Sequence, residues 1–99
     1  MPQSIWMAVC EVSVELGDLP SGATKAFARI TTWADSEEVV REKVSRYLES
    51  YRWQLLSIES ATPIDQGTAY DDEMTDMITR TRTNPTAIIL GRFFSYKES

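Results

Sequence analysis

Apolar side chains recur at every second position in two early segments, the spacing of a β-strand with one face turned to a core. The first segment covers residues 5–14 and the second covers residues 24–33. One alternating set in the first segment is Ala8, Cys10, Val12 and Val14. Residues 15–22 between the segments contain two glycines, a proline and an aspartate, which favour a turn. We therefore predict two neighbouring strands that pair antiparallel.

The next segment has apolar residues three and four positions apart, as in an amphipathic α-helix. We predict that this helix begins at Asp35, which forms a capping box with Glu38, or at the competing cap Ser36. Its predicted apolar face is Val40, Val44, Tyr47, Leu48 and Tyr51. Charged residues cover the remainder of the helix, so that side is expected to face solvent.

A second helix with the same spacing is predicted from Tyr70 or Asp71 to about Thr83. Its inward positions are Tyr70, Met74, Met77, Ile78 and Thr81. Pro85 ends the helix, because proline disfavours helical geometry in the residue before it.

Two further strands are predicted at residues 53–61 and 87–96, the latter apolar on both sides. The order ββαβαβ predicts a single α+β domain over residues 1–99. We expect a two-layer sandwich, with a four-stranded, mostly antiparallel or mixed sheet and both helices on one face. An additional strand within residues 62–69 stays open as an alternative.

Apolar residues on both sides of the first and last strands predict self-association. If both helices cover one face of the sheet, the opposite face exposes more apolar surface than monomers usually carry. The predicted interface residues are Ile5, Met7, Val9, Phe94 and Tyr96. We expect a homo-oligomer, in the first place a two-fold dimer. The alternatives are that loops or strand twist bury this set, or that long basic side chains screen it.

Composition narrows the classes of partner. The 99 residues carry a net charge of −5, with ten basic and fifteen acidic side chains. Nucleic acids and anionic membranes bind clustered Lys and Arg, so neither is expected as a partner, whereas a basic protein is compatible with the charge. A single cysteine excludes a disulfide scaffold. With no signal peptide or membrane span expected, we predict a cytoplasmic protein.

The sequence lacks the residues that most catalytic and cofactor sites require. It contains no histidine and one cysteine, Cys10, which excludes imidazole bases, zinc sites and the usual haem or iron–sulfur ligands. Cys10 is expected to be a small core residue. No phosphate-binding glycine loop is present. We therefore predict no catalytic residue, cofactor or metal, and favour a protein that is not an enzyme.

Two groups of charged residues have the chemistry to contact an ion or a ligand. Asp72 and Asp76 lie four residues apart on one helical face, but two carboxylates are too few for a hard cation and are expected to be solvated. Arg80, Arg82 and Arg92 are the candidate contacts for an anionic ligand, although basic residues also suit a helix C-terminus.

Three functions remain open. The first is a non-catalytic interaction or regulatory module that acts as a homo-oligomer. The second is an acidic inhibitor of the immunity or antitoxin type, for which the acidic residues should form one contiguous face. The third is a small enzyme or anion-binding protein with a cleft between subunits, for which the three arginines should converge.

Overall fold

The computed structural model describes residues 3–15, 17, 24–65 and 67–95. The strands are β1 (Ser4–Ser13), β2 (Lys25–Ala34), β3 (Gln54–Pro63) and β4 (Ile88–Ser95), and the helices are α1 (Glu37–Glu49) and α2 (Asp72–Arg82). The α+β class and the order ββαβαβ are thereby confirmed. The described residues between β3 and α2 form no additional strand.

The four strands form one sheet in the order β3-β1-β2-β4, and every neighbouring pair is antiparallel. The two strands that are adjacent in the chain are therefore the two central strands. In their register Ala8 lies opposite Ile30, and Met7 lies opposite Thr31. Because directly paired residues project to the same side, these two pairs mark the two faces of the sheet.

Helix α1 covers the face that contains Ala8 and Ile30. Ser36 caps the helix, its Oγ accepting the Val39 N–H at 3.3 Å, so the competing cap is the one the structure uses. Val40, Val44 and Leu48 are buried against this side of the sheet. The core here is Ala8, Cys10, Val12, Val14, Ala26, Ile30 and Ala34, together with the three helical residues.

Helix α2 covers the opposite face, so the prediction that both helices lie on one face in two layers is wrong. The Thr31 side chain contacts Thr81 of α2, and the Trp33 Nε1–H donates to the Thr81 carbonyl at 2.7 Å. Ile5 packs with Met74, Met77 and Ile78 in a second core on this side. The molecule therefore has three layers, α1, sheet and α2.

The reason for this arrangement lies in the strand order. β3 and β4 form opposite edges of the sheet, so the connection between them must cross a face. The face beneath α1 is already covered, and α2 crosses the other one. The strands are therefore apolar on both sides because a helix packs on each face of the sheet. Ile5 is only 4% exposed and Met7 packs against the α2 core, so both predicted interface residues are covered by the chain's own helix.

Candidate functional site

Helix α2 covers only part of its sheet face. Its 11 residues span roughly 16 Å, whereas a ten-residue strand spans roughly 33 Å. The first turn of α2 lies at Arg29, halfway along β2, and the helix continues towards Ile5 and Trp33. Among the residues that the structure describes, no helix lies above the strand halves beyond Arg29. We call this surface the open half-face, and its side chains are Val9, Glu11, Lys25, Phe27 and Phe94.

The open half-face combines exposed aromatic surface with charges of both signs. Phe94 is 52% exposed and lies directly opposite the half-buried Phe27. Val9 is half-buried, and Glu11 and Lys25 supply one acidic and one basic group. Of the predicted interface residues, Val9 and Phe94 therefore lie on an accessible face. Tyr96 lies outside the described residues.

An ion cluster fixes the start of α2 at the border of the open half-face. Arg29 Nη1 lies 2.9 Å from Asp71 Oδ2, and Arg29 Nη2 lies 2.8 Å from Glu73 Oε1. Asp71 also caps α2 by accepting the Met74 N–H at 2.8 Å. The Arg29 Nε is buried without a hydrogen-bond partner, so the guanidinium is held by its two terminal nitrogens.

The ion cluster changes the acidity of its members. The pKa of Asp71 is lowered first by the Met74 N–H and then by Arg29. The pKa of Glu73 is lowered chiefly by its hydrogen bond from Arg29, while the two carboxylates raise the pKa of Arg29. All three groups are therefore held in their charged forms, which suits an anchor between β2 and α2. No sequence pattern marks Arg29, because its partners are 42 and 44 residues away.

The three arginines predicted to contact an anion do not form one site. Arg80 lies 3.7 Å from Asp76 in an exposed pair. Arg82 closes α2 and lines a groove beside the loop that precedes the helix. Arg92 lies at the other end of α2, where its N–H donates to Glu73 Oε1 at 3.4 Å. Glu73 and Arg82 are separated by roughly 13 Å of helix, so no ligand of modest size joins the three.

The remaining candidates for chemistry are isolated in the structure. No group of three or more His, Cys, Asp or Glu side chains that could hold a metal ion occurs among the residues described. The Asp76 carboxylate of the predicted acidic pair faces Arg80 instead. Cys10 is buried in the α1 core, and desolvation raises the pKa of its thiol to about 12. A thiol with that pKa is uncharged at neutral pH and is a poor nucleophile.

A second feature of interest is a cleft of about 550 Å³ between α1 and the start of β4, which we call the α1–β4 cleft. Lys43 and Arg46 line it from the helix. Pro85, Thr86 and Ile88 line it from the other side. The Lys43 Nζ donates to the Trp33 carbonyl, which ties the ammonium to the end of β2.

Tyr47 adds an aromatic ring to the α1–β4 cleft. Its hydroxyl lies 3.4 Å from that of Tyr51, and this hydrogen bond is the main cause of a raised Tyr47 pKa. The phenol is therefore protonated at neutral pH. The spacing of Lys43 and Arg46 predicted a solvent-exposed side of a helix, and it carried no indication of a cleft.

The acidic residues are divided between the two outer layers. Helix α1 carries its carboxylates on one side of the sheet, and α2 carries Asp71, Asp72 and Asp76 on the other. The two helical groups therefore cannot form one contiguous acidic face. This distribution does not favour an inhibitor that covers a basic partner with a single acidic surface.

Comparison with known proteins provides no relative from which to transfer a function. No family model, curated protein or solved structure matches the chain. Within the part of the chain that the structure describes, no helix is long and apolar enough to cross a bilayer.

Proposed function

We propose that this protein is a non-catalytic interaction or regulatory module that acts as a homo-oligomer through the open half-face. The observation that carries this proposal is Phe94, a large aromatic residue that is 52% exposed beside Phe27, on a sheet surface that neither α1 nor α2 covers. Aromatic side chains supply much of the binding energy in protein contacts. The absence of histidine from the sequence supports a role that does not depend on catalysis.

The charges of the open half-face are compatible with contact between two copies. A two-fold axis brings the same surface of both copies together. Because the surface carries both Glu11 and Lys25, such a contact does not have to oppose like charges. A large net charge confined to the patch would instead have favoured a partner of opposite sign.

The size of the open half-face sets the expected strength. Four strands about 4.8 Å apart, with roughly 16 Å of each uncovered, present roughly 300 Å² in projection. A stable interface usually buries about 800 Å² on each partner. We therefore expect a weak dimer that depends on concentration. The outer edge of β4, the last described strand of the sheet, adjoins Phe94 and can enlarge the interface.

Sedimentation velocity over a series of protein concentrations tests this function. The weight-average mass should rise from 11.3 kDa towards twice that value as concentration increases. Phe94→Ser should shift the association to higher concentration by about tenfold or more, because it removes an exposed aromatic contact. Tyr51→Ser is the control, since Tyr51 is 51% exposed but follows α1 on the other side of the sheet.

Two results would contradict the proposal. One is a chain that stays monomeric at every accessible concentration. The other is an association that Tyr51→Ser weakens and Phe94→Ser leaves unchanged, which would place the contact on the α1 side.

A further inference from the structure

We infer that the α1–β4 cleft binds a small organic anion, specifically a carboxylate attached to an apolar body. The first reason is charge. Lys43 and Arg46 both line the cleft, and no carboxylate is among the described residues that line it, although the chain has fifteen acidic and only ten basic residues. An anion therefore meets two cations in this wall, one of which, Arg46, also pairs with the Glu42 carboxylate.

Lys43 and Arg46 can both form hydrogen bonds with a ligand, Lys43 with further donors and Arg46 in exchange for its present partner. The Lys43 ammonium has three donors, and its bond to the Trp33 carbonyl uses one of them and holds the head group in position. Arg46 pairs with Glu42 at 3.3 Å, and both side chains are more than two-thirds exposed. Exposed ion pairs of this kind contribute little to stability, so a carboxylate ligand can take the place of Glu42.

The wall opposite α1 offers apolar contacts to the body of the ligand. Ile88 is half-buried and lines the cleft together with Pro85, and Tyr47 lines it from α1. A volume of about 550 Å³ lies within the range of roughly 300–1,000 Å³ typical of small-molecule sites. This combination favours an aromatic or branched aliphatic carboxylate over inorganic phosphate, which has no apolar surface to bury.

The groove beside α2 is of similar size but different chemistry. Its volume is about 580 Å³, and Asp65 lines it together with Arg82. The Asp65 carboxylate accepts from the Gly67 N–H at 2.9 Å and from the Thr68 hydroxyl at 3.1 Å. A carboxylate engaged in its own turn adds negative charge to that groove, so the α1–β4 cleft is the better site for an anion.

Titration of the ¹⁵N-labelled protein with benzoate, followed by amide chemical shifts, tests the inference. Benzoate should produce saturable shifts centred on Lys43, Tyr47 and Thr86. Benzamide, which has the same ring without the charge, should bind at least about tenfold more weakly. Inorganic phosphate should also bind more weakly than benzoate. Absent, non-saturating or scattered benzoate shifts would overturn the inference, as would equal binding of benzamide.

Matched variants separate a site from a general effect of charge. Lys43→Met with Arg46→Met should weaken benzoate by about tenfold or more, and the methionines retain much of the apolar stems. Arg41→Met removes an equal type of charge from an exposed position of α1 outside the cleft and should leave binding unchanged. Equal weakening by Arg41→Met would refute a local site.

Arg46→Met alone keeps the test valid if loss of the Lys43 contact unfolds the chain, because the Arg46–Glu42 ion pair is exposed and its removal costs little stability. Unchanged benzoate affinity in this variant would contradict the role given to Arg46. The cleft and the open half-face lie on opposite sides of the sheet, so each can fail its test independently of the other.

Discussion

The hydroxyl groups of Thr31 and Thr81 lie 2.7 Å apart in the contact between β2 and α2, and both residues are fully buried. Both hydroxyls also lie near the Met77 carbonyl, Thr81 Oγ1 at 2.8 Å and Thr31 Oγ1 at 3.4 Å. Either hydroxyl can therefore donate to the other while the second one donates to Met77. This bond links the sheet to the helix within an otherwise apolar core, and it fixes how α2 is rotated over the strand.

Replacing the two threonines by valine should reveal this link as an energetic coupling. Thr31→Val should lower the free energy of unfolding by about 1 kcal/mol, since the buried Thr81 hydroxyl loses a hydrogen-bond partner. Thr81→Val should lower the free energy of unfolding less in the Thr31→Val background than in the wild type, with a coupling energy of about 0.5–1 kcal/mol. Urea unfolding measures all three variants.

Thr79→Val is the control for the threonine cycle. Thr79 makes the same type of bond to the carbonyl of Thr75, at 2.9 Å, but on the exposed side of α2. Its replacement should change stability by no more than about 0.5 kcal/mol. Strictly additive effects of the two buried threonines would show that the hydroxyls do not act together.

Gly91 allows α2 to approach β4 closely. A Cβ at this position would lie 2.9 Å from Glu73 Oε1 and 3.0 Å from Met77 Sδ, and Glu73 is not free to move because Arg29 holds it. Gly91→Ala should therefore lower the free energy of unfolding by about 1–2 kcal/mol. Thermal unfolding by circular dichroism checks this.

Gly67→Ala provides the comparison for Gly91. The nearest atom to its added Cβ would be Asp65 Oδ1 at 3.5 Å, an ordinary contact. This variant should be neutral or slightly stabilising, because alanine restricts the unfolded chain. A Gly91→Ala protein as stable as Gly67→Ala would mean that α2 does not rest on β4 as closely as described.

The Arg29 cluster predicts a specific loss of stability in acid. The pKa values of Asp71 and Glu73 are lowered in the folded state, so the stabilisation that they provide is present above the ordinary carboxyl range near pH 4. It is lost as the pH falls through the folded values. Urea midpoints measured from neutral pH downwards should therefore decline most steeply below about pH 4.

Arg29→Met should flatten this acid profile without abolishing it, because the Met74 N–H still lowers the pKa of Asp71. Arg80→Met is the charge-matched control. Its pair with Asp76 is exposed and 3.7 Å long, so its removal should leave the profile unchanged. Identical profiles for the wild type and Arg29→Met would remove the cluster from any account of acid stability.

The fold could be predicted wherever it depends on local spacing. Val40, Val44 and Leu48 recur at helical intervals, and so do Met74 and Ile78, so both helices and their buried sides followed from the sequence. The face of the sheet that each helix covers depends on strand order, which pairs segments far apart in the chain. Ile5 and Ala8 are both apolar, and their periodicity cannot tell which lies under α1.

The sites were harder to predict because they join distant residues. Lys43 and Arg46 have the spacing of a solvated helix surface, and residues distant in sequence, among them Pro85, Thr86 and Ile88, turn their surroundings into a cleft. Arg29 lies in a strand that is otherwise mostly apolar or hydroxylic, with both its carboxylates on another element. Arg82 and Arg92 are close in sequence, yet a turn and a change of direction place them at opposite ends of α2.

The strand order also determines how the sheet can assemble. The central hairpin, β1 and β2, joins neighbouring segments and closes only a short loop, whereas β4 must return across the molecule, pairing Leu90 with Ile30. We therefore expect β4 to be the last strand to join the sheet during folding. Until it docks, β2 presents an unpaired backbone edge that the β4 of another copy fits equally well. Strand exchange between copies is thus the misassembly to which this topology is most open.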